Sequence, residues 1–227
     1  MKIREVILQT SELDQQYQFY HVRIGLPIVA YTEKLLRIQC GDSILTFEAY
    51  NGDEMPYYHF AFNISPHKFD LAISHLRERG IQLNLVNGRE IVHSNSWNSD
   101  SIYFYDPAGN IVEYIARQKL AGVSEVAFEG NVLLNITEIG MAVTNVTDTA
   151  DELQDLLKEQ IYLNADSLFA PIGDEYGLLI LSSTERQWLG STKPVRVFPL
   201  QVVIEGLHES VHQVRGLPYQ IHSTSNT

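Results

Sequence analysis

The sequence predicts an α+β fold built from tandem β-α-β-β-β modules that form curved mixed sheets. Three observations predict it. A strand, a helix and three strands follow one another in residues 3–49, and the same order returns in residues 58–116. A third round opens at Asn135. The chain of 227 residues is 44% hydrophobic and 19% charged, enough to bury a sizeable core and longer than a typical single domain of ~100 to 200 residues.

Ile3 to Leu8 is a β-rich run, broken at Thr10 and Ser11. Glu12 to Arg23 carries Leu13, Tyr17 and Tyr20 at i, i+4 and i+7, the spacing of one helix face, and Gly25 ends it. Pro27 to Thr32, Leu35 to Gln39 and Ser43 to Ala49 read as strands, the last two joined by the Gly41-Asp42 turn. Tyr58 to Ile64 opens the second round, and Ser65-Pro66 starts a helix that Gly80 closes. Ile81 to Val86 reads as a strand, as do Ser101 to Tyr105 and Ile111 to Ala116, which flank the turn Asp106-Pro107-Ala108-Gly109-Asn110.

Lys119 to Gly130 reads as a linker. Beyond it, Asn135 to Val143 is a strand, Thr147 to Gln160 a helix, and Tyr162 to Ala170, Leu178 to Ser182 and Val195 to Phe198 further strands. Leu200 to Ile204, a helix-like Leu207 to Val214 and Tyr219 to His222 begin a fourth, truncated module. The expected division is residues 1–118, two paired modules, and residues 131–227, a second, incomplete pair serving as scaffold. A truncated module leaves a bare sheet edge, and such edges are covered or paired, so a homodimer is a candidate state.

The chain has 16 Lys+Arg against 28 Asp+Glu, a net charge of -12, and no basic cluster, which argues against nucleic acid and anionic lipid as partners. Cys40 is the single cysteine and makes no intramolecular disulfide. The charged start MKIREVILQT is unlike a signal peptide, and no apolar run approaches the ~20 residues of a membrane span, so the expected location is the cytoplasm, with no membrane contact. His208 and His212 have the i, i+4 spacing of a helical metal pair but lack the accompanying glutamate, and read as surface residues.

Glu5-Val6-Ile7-Leu8, Phe19-Tyr20, Ile24-Gly25-Leu26, Tyr58-His59-Phe60-Ala61-Phe62 and Ile102 through Glu113, with its Asp-Pro-Ala-Gly-Asn turn, resemble the vicinal oxygen chelate superfamily over residues 1–118. That superfamily includes glyoxalase I, fosfomycin-resistance and bleomycin-binding proteins and extradiol dioxygenases. The resemblance implies one divalent metal ion, Zn, Ni, Mn, Mg or Fe, on the concave face of two paired modules. Carried over position by position, its ligands are Glu5, Glu48, His59 and Glu113, Glu5 departing from the usual histidine or glutamine.

Alternation gives independent support, because each of these side chains is polar within an apolar strand, and buried carboxylates beside an imidazole require a cation or shared protons. One histidine and up to three glutamates disfavour iron-dependent ring cleavage, which uses two histidines and one carboxylate. The set suits a Lewis-acid lyase or isomerase acting on a small oxygenated substrate, with Glu113 or Glu5 moving the proton. Two other readings stay open: a metal-free protein that sequesters a cationic drug, as bleomycin-resistance proteins do, and a ring-cleaving dioxygenase. Trp97 and Tyr103 are candidate pocket walls, and Arg89 a candidate contact for an anionic substrate. In the third module Glu138 falls at the first ligand position, but Leu178 to Ser182 and Pro199 to Val202 offer no partners, so that half is expected to hold no metal.

Overall fold

The computed structural model describes residues 1–122, 132–206 and 208–225. Its first module contains β1 (Lys2–Thr10), α1 (Leu13–Tyr17) continued by a π-helical segment (Gln18–Ile24), β2 (Ile28–Tyr31), β3 (Leu35–Cys40) and β4 (Ser43–Ala49). The second contains β5 (His59–Ile64), α2 (Phe69–Glu78), β6 (Val92–Ser94), β7 (Ser99–Tyr105) and β8 (Ile111–Arg117). The third has β9 (Leu133–Val143), α3 (Val146–Leu157), β10 (Phe169–Asp174) and β11 (Gly177–Ser183), and the fourth β12 (Leu200–Gly206), β13 (Ser210–Gln213) and β14 (Tyr219–Ser225). Most of the expected linker, from residue 123 onward, lies outside the described residues.

The predicted fold class holds, and several elements differ from expectation. Ile81 to Val86 makes only isolated bridges, Leu83 to Phe104 and Val86 to Arg89, so the strand here is the short β6. The strand expected at Tyr162 to Ala170 begins at Phe169, and Val195 to Phe198 is loop. Ser210 to Gln213 is a strand rather than part of a helix, which removes the helical pairing of His208 with His212. Among the described residues the fourth module thus has three strands and no helix: β12 runs parallel to β14, which pairs antiparallel with β13, as β1, β4 and β3 do in the first module.

Two seven-stranded sheets result, ordered β13-β14-β12-β1-β4-β3-β2 and β10-β11-β9-β5-β8-β7-β6. The first joins modules one and four through the antiparallel pair β1 and β12, and the second joins modules two and three through β5 and β9. Each sheet therefore crosses the expected boundary between 1–118 and 131–227, and modules one and two share no sheet. Every module's first strand presents the same alternation to a neighbour, so nothing local selects which module it pairs with.

The core lies between the sheets and the helices. Val6, Leu8, Leu45 and Phe47 from the first sheet meet Phe60, Phe62, Val112 and Ile139 from the second, all fully buried in one cluster, at roughly 1.5–3 kcal/mol of stabilisation per large apolar side chain. This leaves the opposite face of the second sheet free to carry polar groups.

The Asp106 to Asn110 turn is a structural junction. Buried Asp106 accepts hydrogen bonds from Gln16 Nε2 and Tyr20 Oη of the first module (both 2.9 Å) and from Asn110 N and Nδ2 (2.9 and 2.7 Å). Asn110 Oδ1 in turn accepts from Tyr58 N at 2.8 Å, fixing the entry to β5. Gly109, at φ +77°, lets Lys193 Nζ reach its carbonyl at 2.6 Å; a Cβ there would stand 2.2 Å from that nitrogen.

Candidate metal centre

Three neighbouring strands converge on one point of the second sheet. Glu113 on β8 and Glu138 on β9 both pair with Ala61 on the intervening β5. Residues paired across strands share a face, and His59 lies two residues before Ala61 on that same face. Ala61 fills little space, so the two carboxyl groups and the imidazole meet above it. One ligand atom from each of His59, Glu113 and Glu138 lies within 4.8 Å of the others, and all three residues are buried. A register shift between Ala61 and Phe62 leaves Thr137 as an extra residue of β9 beside Glu138, the kind of bulge that re-aims a neighbouring side chain.

Each group is held by its surroundings. His59 Nδ1 lies 3.1 Å from the Ile111 carbonyl, which only accepts, so Nδ1 carries the proton and Nε2 presents a lone pair. That Nε2 is 3.6 Å from Glu113 Oε2, too long for a good hydrogen bond. Burial lowers the His59 pKa and keeps the ring neutral. Burial, and then the neighbouring Glu138 charge, push the Glu113 carboxyl up to about 8, opposed by hydrogen bonds from Ser101 and Tyr103. Glu138 forms an ion pair with Arg117 Nη2, while Arg117 Nη1 donates to Asn63 Oδ1 at 2.6 Å and to Thr137 Oγ1 at 3.1 Å. Arg117 is 1% exposed, so this guanidinium is a fixed buried counter-charge rather than a surface partner.

The donor set fits a divalent cation. Two donors each ~2.0–2.2 Å from one ion stand roughly 3 to 4 Å apart, and the His59 to Glu113 separation falls in that range. The imidazole tautomer is the ligating one, with its other nitrogen fixed by a carbonyl. One carboxylate without its own cation completes the need: Arg117 neutralises Glu138, and Glu113 is left to a proton or a metal ion.

A cavity of about 310 Å³ opens above these groups. Trp97, Tyr103, Phe169 and Trp188 supply its aromatic walls, and Arg186 its strong cation. Trp188 sits 5.3 Å from the His59 ring, centroid to centroid. It is admitted by Gly140, where a Cβ would stand 2.6 Å from the indole. The indole is held from behind by a strap, in which Trp188 N donates to Lys193 O and Asn84 Nδ2 to Gly190 O.

The ligand set carried over from the resemblance is thus divided. His59 and Glu113 meet here, and Trp97 and Tyr103 are among the residues that line the cavity. Glu5 lies in the other sheet, held by Arg37 Nε and Nη2 at 3.1 and 2.9 Å and by Thr46 Oγ1, which removes it as a fourth ligand or base at this centre. Glu48 is exposed in that same sheet, pairing with Gln9. Arg89 is exposed in a turn outside the lining. Glu138, assigned to scaffold, stands in the cluster instead, because its module pairs with the second. The sequence signal was present, an acid at the first ligand position of module three, and the missing fact was the pairing. Arg117, Arg186 and the placement of Trp188 were not foreseen.

No protein-family model matches this chain, and no curated protein matches it in sequence. Among solved structures, a candidate dioxygenase from Bacillus subtilis superposes with TM-score 0.66 at 12% identity, over 98% of this chain and 85% of that one. A mutant of glyoxalase I from Zea mays superposes with TM-score 0.60 at 12% identity, over 99% and 93%. A glyoxalase/bleomycin resistance protein/dioxygenase from Nocardioides covers 56% of this chain and 89% of its own, at 21% identity and TM-score 0.42. This chain shares the fold of the Bacillus subtilis and Zea mays structures.

Proposed function

We propose that this chain, folded as those proteins are, holds one divalent cation on His59, Glu113 and Glu138 and moves a proton on a small oxygenated molecule, as a lyase or isomerase does. The observation that carries this reading is the buried imidazole and carboxylate cluster at the base of an aromatic-walled cavity. One nitrogen and two carboxylates make an oxygen-rich set suited to Zn²⁺, Mn²⁺ or Mg²⁺, and the inverse of the two-histidine, one-carboxylate set of ring-cleaving iron enzymes. Bound there, the cation supplies a Lewis acid for neighbouring substrate oxygens.

The protein groups do the rest. Glu113, steadied by Ser101 and Tyr103, takes and returns the proton at a carboxyl oxygen not committed to the cation. Glu138, tied to Arg117, stays in place. Trp97 and Trp188 narrow the cavity and exclude water. Sequestration of a cationic drug is the weaker reading, because the acid of Glu138 is neutralised by Arg117 and Arg186 faces the same space. Elemental analysis after exposure to excess Zn²⁺, Mn²⁺, Ni²⁺ and Fe²⁺ tests the proposal. About one bound ion per chain is expected, and a protein that stays metal-free would overturn it.

A further inference from the structure

Among the described residues that line the cavity, Arg186 carries a permanent charge that the proposed chemistry leaves unused. Its Nη1 donates to Ser182 Oγ at 3.3 Å, and its guanidinium lies 5.0 Å from the Phe169 ring centroid. Among the described residues no carboxylate forms an ion pair with it, although acids outnumber bases 28 to 16 in the chain. An arginine stacked on an aromatic face has its fork pre-oriented and most of its donors free, the arrangement that receives a carboxylate in two-point fashion. It is partly exposed, whereas His59, Glu113 and Glu138 are at 6%, 4% and 4%. It therefore marks the more open part of the lining, with the proposed centre at the closed part.

The space between is small and lined by aromatic residues. About 310 Å³ lies at the low end of small-molecule sites, which run from ~300 to 1,000 Å³, and accommodates one ring with a short substituent. Trp97, Trp188, Tyr103 and Phe169 line it, and aromatic walls favour a planar guest. At the closed end, Glu113 and Glu138 are offset by Arg117 and the cation, so no excess of negative charge repels an anion.

We propose that Arg186 is the specificity-determining residue of this cavity and that its ligand is a single-ring aromatic carboxylate, oxygens toward the His59, Glu113 and Glu138 centre and carboxylate on Arg186. This rests on the metal reading for the inner end only; the outer contact is independent of it.

Three probes with the same ring and different charge separate the two: 3,4-dihydroxybenzoate, catechol and 3,4-dihydroxybenzylamine, titrated by calorimetry into zinc-loaded and metal-free protein. Entry is also read by emission, because the chain's two tryptophans, Trp97 and Trp188, both line the cavity. The carboxylate is expected to bind about tenfold more tightly than catechol, and the amine least. Arg186→Gln should bring the carboxylate to the level of catechol and leave catechol unchanged, and Arg186→Lys should restore part of the difference. Equal binding of all three probes, or a carboxylate preference that survives Arg186→Gln, overturns the assignment. A preference that follows Arg186 while zinc changes nothing for any probe supports the assignment and overturns the metal reading instead.

Discussion

Glu113 and Glu138 face one another across Ala61, each in register with it from a flanking strand, and burial together with the Glu138 charge pushes the Glu113 carboxyl up to about 8. Two acids brought this close do not both ionise readily. The Arg117 guanidinium settles which one does, by pairing with Glu138.

The first prediction concerns pH. In metal-free protein Glu113 has a folded pKa raised to about 8 from its ordinary value of 4.5, so the folded state binds more protons than the unfolded one between those values. Stability therefore falls as pH rises through that window, by at most about 1.4 kcal/mol per pH unit, and levels off above it. Urea midpoints of metal-free protein between pH 5 and 9 should show this decline, and Glu113→Gln should flatten it. Identical slopes for the two proteins would remove Glu113 as the cause.

A cation reverses the sign. It competes with the proton on Glu113, so its affinity should climb with pH up to about 8, with protons released on binding. Calorimetry at pH 6.5 in two buffers of different ionisation enthalpy measures that release. Binding with no proton exchanged would show that Glu113 is not displaced.

How much of this was legible follows from where each feature is encoded. The apolar alternation of Phe60, Phe62, Val112 and Tyr114 and the helix spacing of Leu13, Tyr17 and Tyr20 are local, and they give the element order. His59 and Glu113 were legible as polar interruptions of such strands. Glu138 was visible and set aside, because the choice between β1 and β9 as the partner of β5 is made by long-range contacts that leave no mark on either strand's pattern. Glu5 shows the converse: its acid is accounted for by Arg37 on the neighbouring part of its own sheet, a pairing two strands away that residue type alone does not reveal. The Asp-Pro-Ala-Gly-Asn turn was read as a turn between strands and as a motif of the resemblance, and its side chains also join the first module to the second.

The turn gives the third prediction. Asp106→Ala strips an acceptor from four buried or part-buried donors, on Gln16, Tyr20 and Asn110. The loss should be about 2–4 kcal/mol, from several donors left unsatisfied at once. Burial holds the carboxyl above its usual range against those bonds, so Asp106→Asn, which keeps one acceptor oxygen, should cost less. Denaturant titration orders the two variants, and equal midpoints to the parent protein would deny the turn its joining role.

Gly140 controls the wall beside His59. An added Cβ would stand 2.6 and 2.9 Å from two carbons of the Trp188 ring and 3.1 Å from the His59 carbonyl. Backbone on one side leaves the indole to give way. Gly140→Ala should destabilise by about 1–3 kcal/mol and shift the tryptophan emission to the red as the indole is displaced. Unchanged emission would mean that the wall tolerates the methyl group and that the glycine is not what seats Trp188.

The last prediction sets the two sheets against each other. His59→Ala and Glu113→Gln each remove a donor from the cluster without orphaning a buried charge, so both should fold and lose the bound ion, a drop in affinity of at least about tenfold to a hundredfold. Glu138→Gln needs a control, because it leaves Arg117, at 1% exposure, without its counter-charge. Such a change costs on the order of 3–5 kcal/mol when nothing replaces the pair. The double variant Arg117→Met with Glu138→Gln removes both charges, so that a loss of metal in a folded protein is attributable to the missing carboxylate. Glu5→Gln and Glu48→Gln act in the other sheet, the first loosening Arg37 and the second touching an exposed strand end. Neither should alter the stoichiometry measured by equilibrium dialysis with Zn²⁺. If Glu5→Gln or Glu48→Gln empties the site while the double variant keeps its ion, the metal is held in the sheet of modules one and four, and the centre assigned to His59, Glu113 and Glu138 is in the wrong cup.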